Sequence, residues 1–111
     1  MNRRIQLRRV RGWRLPPNAK AVSRASVFGN PWVVGEHGSA RDCVDQFEAW
    51  LRHGEGVGSS ELQARRTRLL ARLPELVGKD LACFCKGDAE HCHASVLLTL
   101  AAELAAERRS G

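Results

Sequence analysis

The chain has 111 residues, 43% hydrophobic and 27% charged, the length and balance of one globular domain, which excludes two domains or a disordered tail. The formal charge of +6 is local: residues 1–35 carry seven arginines and Lys20 with no acidic residue, while residues 36–111 are net −2. No apolar stretch approaches the roughly 20 residues of a membrane-spanning helix, so no membrane partner is expected.

Ile5, Leu7 and Val10 suggest a strand over residues 4–10, ended by the turn-prone Pro16-Pro17-Asn18, and a second short strand is predicted over 20–23. The segment from Phe28 to Gly35 reads as a turn with a short apolar run. Asn-Pro disfavours helix at Asn30, and Gly29 allows backbone conformations that other residues resist. A first helix is predicted from Ser39, which has capping-box spacing with Asp42, and Cys43, Phe47, Trp50 and Leu51 share its apolar face. Glycines at 54, 56 and 58 end it. Ser60 with Gln63 is the expected cap of a second helix, with Leu62, Leu69, Leu70 and Leu73 facing inward and Pro74 as its stop.

From Asp80 to Cys85 both alternating sets of side chains are apolar, which fits a strand covered on both faces. A polar loop over 86–90 leads to a last helix over 93–107, apolar around most of its circumference and therefore expected against a sheet. The order of elements predicts a small single-domain α/β sandwich. Its central sheet should be mostly parallel or mixed, flanked by helices, and Rossmann-like in its layers. Ligands of such sheets bind beyond the carboxyl ends of the strands, an edge that here includes Cys83, Cys85 and the approach to Cys92-His93.

Cys83, Cys85 and Cys92 crowd into ten residues, while Cys43 stands apart in a helix. With no charged segment leading into an apolar core, the chain reads as cytoplasmic, and the clustering points to metal or thiol chemistry rather than a disulfide framework. Cys83, Cys85, Cys92 and His93 form a complete zinc ligand set by type, although their spacing departs from paired C-x₂₋₄-C ligands. Alternatively, Cys92 and His93 open a helix whose N-terminus favours anions and thiolates. Cys85 or Cys92 is then a reactive thiol, with His93 supplying a proton or hydrogen bond. A third reading makes these cysteines small core residues. The polarised charge calls for an anionic partner, such as a nucleotide or nucleic acid. No P-loop, G-x-G-x-x-G or carboxylate pair occurs, so nucleoside-triphosphatase, dinucleotide-binding and glycosidase chemistries have no support.

Leu73-Pro74-Glu75-Leu76 and Gly78-Lys79-Asp80-Leu81-Ala82-Cys83-Phe84-Cys85, followed by Cys92-His93-Ala94 and Val96-Leu97, resemble the DUF4326 family, an uncharacterised small domain of phage and bacterial genomes. Its Gly-Asn-Pro box is matched by Gly29-Asn30-Pro31-Trp32, and the likeness spans about residues 5–102. The Cys-His helix opening is more loosely similar to the DUF488 family, in which an Arg commonly follows where Ala94 stands. The resemblance implies that both boxes belong to one domain and converge on one site. Arg24, Ser26, Gly29, Asn30 and Trp32 would then form a ligand-binding wall opposite Cys85, Cys92 and His93 as catalytic groups. Such a pocket suits a nucleotide, through guanidinium, amide and indole. The alternatives are a zinc-containing nucleic-acid-binding module, and a protein-interaction domain without chemistry.

Overall fold

The computed structural model describes residues 3–8, 10–23, 26–54, 58–83 and 92–110, the last three by backbone alone. Three short strands, β1 (Arg4–Gln6), β2 (Ala19–Ala21) and β3 (Asp80–Cys83), form a sheet with three helices, α1 (Ala40–His53), α2 (Ser60–Arg72) and α3 (His93–Ser110). The sheet is parallel throughout, in the order β1-β3-β2, so the expected small α/β domain is observed. Gln6 pairs with Cys83, and Ala21 with Ala82.

The central position of β3 explains its composition. A strand with neighbours on both sides and layers above and below must be apolar on both faces, and Leu81, Ala82 and Cys83 are all buried. Leu81 and Cys83 project into the main core, and Ala82 projects to the opposite face. β1 and β2 have three residues each, shorter than the sequence suggests, and both pair with the described residues of β3. Beyond the ladder, the Leu7 amide still donates to the Cys83 carbonyl at 2.6 Å and the Val22 amide to the Ala82 carbonyl at 2.8 Å.

α1 begins as its sequence dictates. The Asp42 amide donates to the Ser39 hydroxyl at 3.2 Å, and the Asp42 carboxylate accepts from the Ser39 amide at 3.0 Å, a complete capping box. Those bonds from Ser39 hold the Asp42 carboxyl below its ordinary range. The helix buries Cys43, Phe47, Trp50 and Leu51. At its end, a Cβ on Gly54 would collide with the Trp50 carbonyl, so only glycine fits that close approach.

α2 is capped by Ser59 rather than Ser60, its hydroxyl accepting from the Leu62 amide at 3.2 Å. It gives way at Leu73–Leu76 to a 3₁₀ turn, where Pro74 has no amide to lose at the first turn. Arg66 on α2 donates to the last carbonyls of α1, Nε to Trp50 at 2.8 Å and Nη2 to Leu51 at 3.0 Å, and so ties the two helices together. α3 buries Ala94, Val96, Leu97 and Ala101, with Leu98, Leu100 and Leu104 half-buried against the same core. The broad apolar girth read from its sequence is thus largely covered. Among the described residues no helix is long and apolar enough to cross a membrane.

Candidate functional site

Because all three strands run in one direction, their carboxyl ends, at Gln6, Ala21 and Cys83, share one edge of the sheet. Cys92, immediately before α3, meets that edge at Cys83: the two sulfurs are 3.2 Å apart, and both residues are buried.

His93 fixes the start of α3 to β2. Its Nε2 lies 2.6 Å from the carbonyl oxygen of Val22, the residue after β2. A carbonyl only accepts, so Nε2 carries the proton, and in the neutral ring Nδ1 keeps its lone pair. The ring stands edge-on to Phe47 of α1, centroids 5.7 Å apart at 84°, and the residue is 8% exposed. The corner therefore offers one oriented imidazole and two adjoining thiols in a desolvated setting. No single-sequence signal connected Val22 or Phe47 with His93, since both read as ordinary core.

The Gly-Asn-Pro box reaches the same side of the molecule. Asn30, 3% exposed, donates from Nδ2 to the Cys43 carbonyl at 3.0 Å and accepts at Oδ1 from the Trp32 amide at 2.9 Å. Cys43 and Phe47 are one turn apart on α1, so Asn30 and His93 rest on neighbouring turns of one helix face. The Gly29 carbonyl accepts from Nη2 of Arg65 at 3.3 Å. The Ser26 hydroxyl donates to the Ser23 carbonyl at 2.7 Å and accepts from the Phe28 amide at 3.2 Å, closing a turn. Each of these contacts is internal to the chain, and two of them brace the box against α1 and α2.

Trp32 packs edge-on against Trp50, centroids 5.4 Å apart, and both border a cavity of about 380 Å³ with Gly54, Gly58 and Leu62. That cavity's lining includes neither Cys92 nor His93. Of the remaining expected site residues, Arg24 and Cys85 lie outside the described residues. His37 is exposed and accepts at Nδ1 from the Val33 amide at 2.8 Å.

The zinc set is represented by Cys83, Cys92 and His93. Two thiolates on one tetrahedral zinc, each about 2.3 Å from the metal, stand ~3.8 Å apart, wider than the 3.2 Å observed. Among the described residues no group of three His, Cys, Asp or Glu side chains is gathered as a metal site. Arg8, two residues beyond β1 on the carboxyl side, is exposed, as are Arg11 and Arg14, whereas Lys20 pairs with Glu75 at 3.2 Å.

The family model of DUF4326, a domain of unknown function, matches residues 5–103. The chain therefore belongs to that family. Searches of curated proteins and of solved structures give no match.

Proposed function

Starting from a DUF4326 domain with an arginine-rich first third, we propose that it is a cytoplasmic protein binding a phosphorylated, nucleotide-like anion at the carboxyl edge of the sheet. One observation carries this reading: three parallel strand ends and the Cys92-His93 start of α3 lie along a single edge, where helix amides and dipole favour an anion. Arg8 is exposed just beyond β1, so a guanidinium stands at the same edge, and Arg24 follows β2 by three residues in the sequence. A guanidinium binds phosphate through paired, charge-assisted hydrogen bonds. If a reaction follows binding, His93 is the natural base through Nδ1, and Cys92 the natural nucleophile.

Calorimetric titration with nucleoside mono-, di- and triphosphates tests the reading. Binding should weaken as salt rises, and Arg24→Ala or Arg8→Ala should raise Kd about tenfold, the weight of one charge-assisted bond. Unchanged affinity in both variants, with unchanged circular dichroism, removes the arginines from the site. Absence of binding by every nucleotide rejects the reading.

A second reading, a zinc-containing nucleic-acid-binding module, is favoured by His93. A ring whose Nε2–H is held by a backbone carbonyl is the arrangement metal-ligating histidines adopt, with Nδ1 facing the metal. Cys83 and Cys92 would join it by moving apart, and Cys85 would complete four. Elemental analysis near one zinc per chain, with loss of folded structure on chelation, would favour this reading over the first.

A further inference from the structure

We infer that Cys83 and Cys92 are a thiol–disulfide redox pair, oxidised to an intramolecular disulfide by small disulfides of the glutathione class. This goes beyond anion binding and does not depend on it.

Among the described residues, these are the two thiols brought together. Their sulfurs are 3.2 Å apart, and a disulfide of about 2.05 Å requires an approach of only a little over 1 Å. Both are held by backbone rather than by chance side-chain placement. Cys83 closes β3, opposite Gln6, and its carbonyl accepts from the Leu7 amide. The Cys92 carbonyl accepts from the Ser95 amide in the first turn of α3. Strand end and helix start thus present the sulfurs to each other across the eight-residue segment 84–91. Cys43, by contrast, sits on the core face of α1 with its carbonyl bonded to Asn30.

The exchange balances without further reagents. Either thiol can open the exchange. Where Cys92 does so, its thiolate, having lost a proton to water, attacks one sulfur of the small disulfide, and the departing thiolate takes up a proton. The Cys83 thiol, deprotonated in turn, attacks the Cys92 sulfur of the mixed disulfide and expels the second small thiol. Two thiols of the protein become one disulfide, and one small disulfide becomes two small thiols. Burial of both sulfurs makes the exchange slow from the native state, so the position of equilibrium is the quantity to measure.

The reduced protein, with chelator present to strip metal, is equilibrated for about a day with oxidised glutathione, then alkylated under denaturing conditions and mapped by mass spectrometry. The expected product has lost two hydrogens, retains two alkylated thiols of the four, and yields a peptide pair joined through Cys83 and Cys92. Cys85→Ser should form the same Cys83–Cys92 bridge with one alkylated thiol left, which separates Cys83 from its neighbour two residues away even if Cys83→Ser fails to fold. Four surviving thiols, a glutathione adduct that never resolves, or a bridge that disappears in Cys85→Ser would each overturn the assignment.

Discussion

Asn30 separates two accounts of the Gly-Asn-Pro box, and Asn30→Ala decides between them. In the structure the side chain bridges the Cys43 carbonyl of α1 and the Trp32 amide, and it is almost wholly buried. Alanine removes both bonds. The Cys43 carbonyl still has the bond that a helix gives each of its carbonyls, but the half-buried Trp32 amide is left without this acceptor. A net loss of about 1 kcal/mol for the first bond and 1–2 for the stranded amide gives about 2–3 kcal/mol in all. Unfolding entropy of roughly 2.1 cal/mol/K per residue implies about 0.23 kcal/mol per kelvin for the whole chain, so the melting temperature should fall by about 10 °C. Asn30→Asp should cost at least as much, because it sets a buried negative oxygen against a carbonyl oxygen. Thermal melts followed by circular dichroism, with a parallel nucleotide titration, give both readouts. A melting temperature within about a degree of the parent, together with lost ligand affinity, would refute the framing role and return Asn30 to the binding surface.

Three further outcomes follow from contacts already described. Arg66→Ala should cost about 2 kcal/mol, since it strips a charged donor from the last carbonyls of α1; Arg66→Lys should recover less than half, lacking the fork that reaches two carbonyls. Chemical denaturation measures both, and a loss under about 0.5 kcal/mol would disprove the tie. The Glu75 carboxyl is held at about 2, below its ordinary 4.5, by the Arg72 guanidinium first and the Lys20 ammonium second. A depressed carboxyl stabilises above its unfolded value and loses that contribution as pH falls through the folded one. Glu75→Gln should therefore lower stability slightly at neutral pH, where so exposed a pair is well screened, and flatten the profile between about pH 4.5 and 2 so that variant and parent converge at the acid end; an unaltered acid limb would remove the pair from consideration. Ser39→Ala should lower stability by about 1 kcal/mol through the capping box, again by denaturation, and no change would mean that water replaces the hydroxyl at no cost.

Local rules read well wherever the partner was local. The Ser39–Asp42 box, the Cys43-Phe47-Trp50-Leu51 face and the doubly covered β3 all follow from neighbours within a few residues. The errors at element ends have one cause. Ser59 and Ser60 are both competent caps, and only the backbone trajectory chooses; β1 is laddered over Arg4–Gln6 alone, since a ladder depends on a partner strand 77 residues away that the local pattern does not reveal. The site divides in the same way. That Cys92 and His93 start a helix was legible, because an apolar run follows them. The partners of Asn30 and His93, the Cys43 and Val22 carbonyls, lie 13 and 71 residues away and carry no side-chain signature. Backbone acceptors are invisible in a one-dimensional pattern, and so the bonds by which Asn30 joins a turn to a helix could not be read from the sequence.

The order β1-β3-β2 has a temporal corollary. The outer strands never touch each other, and each waits for the middle one, which is synthesised last; the Arg3–Asp80 bond joins residues 77 apart. A nascent chain that stops short of Asp80 has two strands with no ladder to enter, although the turn at Gly29–Trp32 can already rest on α1 and α2. Closure of so long a loop also precedes any reward from strand pairing. The helices are thus expected to assemble first, with the sheet edge that holds Cys92 and His93 completed as the last event of folding.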